Sequence, residues 1–258
     1  MKNLVFPALL MAVLTGLAGC DQTQQTDTKG TASANSADAI PVSEKKARFW
    51  ALLTPLIEQS NAEVLAERED LKVMQMDADQ LSASQLENLQ QLGNKYRVDD
   101  ELPAKEQINR LLVKVNTIPA SLVLAQAANE SAWGTSRFAT EGNNFFGQWC
   151  FSKGCGLVPK SRNAGANHEV AKFDSPLGSV RSYIRNLNSH PTYEKLRELR
   201  LAAQQEGKLA SGELLAEGLI GYSERREEYV KEIQSMIRYN KLSRFDKAEA
   251  TKADNNQG

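Results

Sequence analysis

The sequence predicts a mainly α-helical domain interrupted by one small β-hairpin and preceded by a helical extension. Three observations predict it. Apolar residues recur three and four apart in several separate stretches, the period of a helix with one buried face. Between Ser152 and Asn167 that period gives way to a stretch containing glycine and asparagine, and a short hairpin ending near Phe173 fits it better than a helix. From Ser175 the helical stripe returns through Leu177, Val180, Ile184 and Leu187. With 258 residues and 41% hydrophobic content, the chain can build one good core but not several large domains. A formal net charge of -1 supplies no global basic field, which argues against nucleic acid as a partner.

Taken from the N-terminus, residues 1–19 read as an export signal, with Lys2 before an apolar run from Leu4 to Leu17 that is short for a membrane span. The run ends in Leu17, Ala18, Gly19 and Cys20, which resembles a bacterial lipobox, so Cys20 is the expected site of lipid attachment. An ordinary secretory signal or a short membrane anchor with an incidental cysteine is the alternative. Each reading takes the mature chain out of the cytoplasm. Asp21 after the cysteine points to the periplasmic face of the inner membrane rather than the outer one. Residues 20–42 are polar and small, too poor in apolar side chains to repay ordering, and read as a flexible tether; residues 247–258 read as a tail of the same kind.

Residues 43–116 read as the helical extension. Phe49, Leu52, Leu53, Leu56 and Ile57 lie on one helical face that resumes at Val64 and Leu65, with Pro55 as a point where the helix can kink. Ser84 and Glu87 have capping-box spacing before Leu86, Leu89 and Leu92, and Ile108, Leu111, Leu112 and Val115 form another stripe. Core packing is their expected role. Residues 117–246 read as the chemical domain. Pro119 starts its first helix, Leu122 to Glu130 is rich in Leu and Ala, and Pro176 behind Ser175 starts a later one. Ser211 and Ser223 are candidate starts of two more.

Export bears on Cys150 and Cys155, because an oxidising compartment lets a pair separated by four residues persist as a disulfide. A zinc site or free thiols are the alternatives, but Cys150, Cys155 and His168 give at most three soft ligands. Glu130 shares a helical face with Val123 and Ala127. A carboxyl on such a face loses hydration, its neutral form is favoured, and it becomes a candidate general acid. A structural glutamate paired with Arg137 or Lys153 fits the same spacing.

The segment AQAANESAWGTSRFATEGNNFFG, Ala125 to Gly147, resembles the glucosaminidase family of peptidoglycan hydrolases, a glycoside hydrolase family 73-like group. The family's pattern runs Ala-Gln, then Glu-Ser-x-Trp-Gly, then Asn-x-Phe-Gly, and the likeness extends over roughly Thr117 to Asn240. QWCFSKGCGLVP and HEVAKFDSPLGSV resemble one member of that group in particular. The resemblance implies a lysozyme-like α+β domain in which Glu130 is the general acid. It implies a second acidic residue, for which Glu169 before Phe173 is the candidate, with Asp174 and Glu141 as substitutes. Among late residues it implies Tyr222 as a cleft-lining ligand, with core packing as the rival role. Trp133, Asn144 and Phe146 are the further candidate substrate contacts, Trp133 having a wedge at the helix end as its other reading. Gln148, Trp149 and Cys150 depart from the commoner family form.

The function implied is hydrolysis of the β-1,4 bond after N-acetylglucosamine in peptidoglycan glycan strands. Glu130 protonates the leaving oxygen, and Glu169 or the substrate's acetamido group assists the attack. A muramidase or lytic transglycosylase is a second enzyme class with a similar lone glutamate. A non-catalytic peptidoglycan-binding or envelope-assembly module is the third reading. No metal or organic cofactor is implied, and His168 and His190 sit beside no recognisable nucleophile motif.

Overall fold

Helix α1 (Val42–Met76) is the longest element of the computed structural model, which describes residues 40–160, 162 and 165–246. The expected signal, Cys20, nearly all of the expected tether and the expected tail lie outside those residues. α1 passes through Pro55 as one continuous helix, with the proline exposed. Its buried stripe is Phe49, Leu53, Ile57, Val64, Arg68 and Leu71, whereas Leu52, read as part of that stripe, is 45% exposed.

Helix α2 (Ala83–Tyr96) is capped two residues before the expected position. Ser82 accepts from the Gln85 N–H while the Gln85 side chain accepts from the Ser82 N–H, so the capping box is Ser82 with Gln85, not Ser84 with Glu87. Helix α3 (Ala104–Lys114) ends among cations. Arg68 of α1 donates to the carbonyls of Leu112 and Val115. Arg200, on helix α7 (Glu194–Gln205), donates to those of Val113, Lys114, Asn116 and Thr117. Carbonyls left unpaired at a helix C-terminus attract positive charge, so these two buried guanidiniums anchor the end of α3.

Helix α4 (Ala120–Ser131) is the central rod, buried from Ala120 through Ala128. Helix α5 (Arg137–Gly142) leads into three short strands, β1 (Trp149–Cys150), β2 (Gly156–Leu157) and β3 (Glu169–Ala171). They form an antiparallel sheet in the order β1-β3-β2, with Trp149 opposite Val170 and Leu157 opposite the same valine. The expected hairpin is thus a three-stranded sheet whose last strand lies in the middle.

Ser175 caps helix α6 (Pro176–Ser189) and Ser211 caps helix α8 (Gly212–Ala216), where the sequence places them. Ser223 caps no helix. Its hydroxyl accepts the Arg225 N–H inside a turn, and helix α9 (Glu227–Tyr239) begins beyond Arg226, whose φ is +45°. α1 packs on α3, α4 and α6, and α4 packs on α8 and α9. One buried core therefore runs from Phe49 to Leu242 and joins the expected extension to the expected chemical domain. No helix among the described residues is long and apolar enough to cross a membrane.

Candidate active site

The end of α4 is where the buried rod meets the surface. Its last turn carries Glu130, and three successive left-handed residues, Ala132, Trp133 and Gly134, turn the chain away. Ser131 locks that turn by donating to the Ala127 carbonyl at 2.6 Å and accepting the Gly134 N–H at 2.8 Å. The negative end of a helix disfavours an anion, so the location adds to the effect of burial on the carboxyl.

Glu130 Oε1 accepts the Tyr229 hydroxyl at 2.8 Å. Burial pushes the Glu130 carboxyl above the usual carboxylate range, while Tyr229, Asn129 and the Arg225 charge pull it part of the way back. The rival pairing is absent from the geometry: Arg137 donates instead to the Val158 carbonyl at 2.7 Å, and Lys153 is exposed. Behind Tyr229, the Gln126 amide donates to the phenol oxygen at 2.9 Å, and Tyr183 donates to Gln126 Oε1. Burial, together with the Glu130 charge, raises Tyr183, Tyr222 and Tyr229, so all three stay protonated donors.

On its other side the carboxyl meets a backbone. A Cβ built on Gly147 would lie 3.7 Å from Glu130 Oε2, and φ there is +62°, a conformation that suits glycine. Tyr222 closes this corner. Its hydroxyl donates to the Phe146 carbonyl at 2.9 Å and its ring stacks on Tyr229 with centroids 5.4 Å apart.

Three expected substrate contacts are occupied with structural work. Asn144, 1% exposed, donates to the Gln148 and Ala171 carbonyls and accepts from the Phe146 and Gln148 N–H groups. A carboxamide has two N–H donors and two acceptor sites, so no capacity is left for a ligand. Phe146 is 2% exposed and stacks on Tyr183 at 4.0 Å, which makes it core. Trp133, half-buried, packs edge-on against Phe49 and Trp50 of α1, with the Lys46 ammonium 4.5 Å above its ring.

Glu169 is buried on β3 opposite Cys150. Its carboxylate accepts the Gly154 N–H at 3.0 Å and the Gly156 N–H at 2.8 Å, and these two bonds hold it below the usual range. Cys150 and Cys155 form a disulfide that closes the same loop. Cys150, Cys155 and Glu169 have ligand atoms within 4.8 Å of one another, but sulfurs bonded to each other present no thiolate to a metal. Glu141 and Asp174 are exposed. Sequence spacing does not mark Gln126 and Tyr183 as site residues. Gln126 is the one polar residue in the buried stretch from Leu122 to Ala128, but its partners lie 57 and 103 residues away.

The family model described as Glucosaminidase, mannosyl-glycoprotein endo-beta-N-acetylglucosaminidase, matches residues 106–242. Protein bax of Escherichia coli (strain K12) is 32% identical over 197 residues, covering 76% of this chain and 70% of that protein. No solved structure matches the chain.

Proposed function

The chain belongs to the glucosaminidase family, and from that premise we propose that it hydrolyses peptidoglycan glycan strands at the β-1,4 bond after N-acetylglucosamine. Glu130 is the general acid of this reading. The observation that carries it is the carboxyl at the end of α4, raised above the usual carboxylate range by burial and held by Tyr229 on one oxygen. A glutamate ionised at neutral pH has no proton for a departing sugar oxygen, whereas one with a raised value retains it.

The second role falls to the substrate's acetamido group rather than to Glu169. Two backbone N–H bonds lower the proton affinity of Glu169, which weakens it as a base, and they commit it to the disulfide loop. The same commitment of Glu169 supports a second reading, a lytic transglycosylase or muramidase working with a lone glutamate. Mass spectrometry of the sugar ends released from purified sacculi separates the two. N-acetylglucosamine at the new reducing ends is the expected product; muramic-type ends would replace this proposal with the second reading. A non-catalytic wall-binding module would bind sacculi and release nothing.

Export and anchoring through lipid on Cys20, on the periplasmic face of the inner membrane, complete the proposal. They rest on the lipobox-like Leu17 to Cys20, Asp21 and the polar stretch that follows. Replacing Cys20 with Ser should abolish lipid labelling and release soluble protein, and unchanged labelling would refute the anchor.

A further inference from the structure

Tyr183, Gln126, Tyr229 and Glu130 are joined in a single line. Tyr183 donates to Gln126 Oε1, Gln126 Nε2 donates to the Tyr229 oxygen, and Tyr229 donates to Glu130 Oε1. We infer that Gln126 and Tyr183 are positioning residues that fix the direction of this chain and thereby place the acid's proton on Glu130 Oε2. The inference rests on Glu130 being the acid.

The direction follows from counting protons. A phenol has one proton, and an amide presents an acceptor at one end and donors at the other. Tyr183 is buried, with its ring stacked on Phe146, and Gln126 Oε1 accepts its proton. That bond turns the amide nitrogen toward Tyr229, so the Tyr229 proton is left for Glu130. Turning the amide round would leave the Tyr183 proton without this acceptor and would redirect the Tyr229 proton to Gln126. The Tyr183 proton would lose its partner whatever the state of Glu130, and an ionised Glu130 would lose its donor as well, so the amide orientation is set by satisfaction of the network.

An oxygen that accepts a phenol proton across 2.8 Å does not also carry one on the same line. The neutral carboxyl therefore keeps its proton on Oε2, the oxygen beside Gly147, where the chain has no side chain. A reversed chain would place the proton between Glu130 and Tyr229, away from any leaving group. The other groups that bear electrostatically on Glu130 are Tyr193, Tyr222, Arg225 and Glu232. Tyr193 and Tyr222 are raised by burial, and Arg225 and Glu232 pair with each other at 2.5 Å, so isotope editing is what assigns the signal to Glu130.

Isotope-edited infrared titration of the Glu130 carboxyl, assigned by its loss in Glu130→Gln, tests this without substrate. Its outcome is thus separate from whether the protein cuts glycans. The native protein should give one protonated C=O band, because one oxygen carries the proton. Tyr183→Phe frees the Gln126 amide and adds reversed states to the neutral form only. The band should split in two and the titration midpoint should move to higher pH. Tyr229→Phe removes the donor, so a single band should move to higher frequency, again with a raised midpoint. A Tyr183→Phe spectrum and midpoint identical to the native ones would overturn the positioning role. Should that variant not fold, an unmoved band in Tyr229→Phe overturns it alone.

Discussion

Burial raises the Glu130 carboxyl above the usual carboxylate range, and the penalty for ionising it falls on the fold. Below the ordinary glutamate value of about 4.3 the carboxyl is protonated whether folded or unfolded, and nothing is lost. Above it the unfolded chain releases the proton first, so stability falls until pH passes the raised folded value. Glu130→Gln should accordingly melt at a higher temperature than the native protein at pH 7 and at the same temperature near pH 3. A lower melting temperature at pH 7 would mean that the ionised carboxylate is a structural partner. Asn144 makes the opposite case. Asn144→Ala strips four bonds from a buried loop and should cost about 2 to 4 kcal/mol in denaturant unfolding, with KM of the remaining folded enzyme little changed. Both residues stand in one motif, yet spacing alone does not tell a residue that faces the ligand from one that braces the loop behind it. Gln126 and Tyr183 were hidden for a related reason, since their roles exist only once α4, α6 and α9 pack together.

Among the elements, the small sheet shows where local pattern stops being informative. Its strands have two or three residues, too few for an alternation to define faces, and the middle position of β3 is a tertiary fact. The capping box illustrates the same limit: Ser82 with Gln85 and Ser84 with Glu87 both have the required spacing, and only the local backbone decides between them. The helices were legible because their stripes are long and their caps, Ser175 and Ser211, precede them directly. The disulfide loop is closed twice, by the sulfurs and by Glu169. Replacing both Cys150 and Cys155 with Ser should cost no more than about 2 kcal/mol, since a short loop gains little entropy from closure. Hydrogen exchange at the Gly154 and Gly156 amides should accelerate only modestly in that variant and strongly when Glu169→Gln is added. Equal acceleration in both would deny Glu169 its bracing role.

For the molecule as a whole, the helices before Thr117 are part of the core that shapes the site. Phe49 and Trp50 of α1 hold Trp133 at the turn after Glu130, and Arg68 and Arg200 anchor the end of α3 just ahead of α4. A fragment of residues 117–246 should therefore fail to give a cooperative unfolding transition, while residues 40–246 should give one; a stable shorter fragment would show that the extension is dispensable. The division at residue 117 marks where the family likeness begins, and the buried core runs across it. The most direct test of the account is turnover of purified sacculi by Glu130→Gln, checked for native fold by circular dichroism. A general acid contributes roughly 100- to 10,000-fold in rate, so released glycan fragments should fall by that order at every pH while binding to sacculi persists. Release of fragments at a near-native rate by well-folded Glu130→Gln would contradict it.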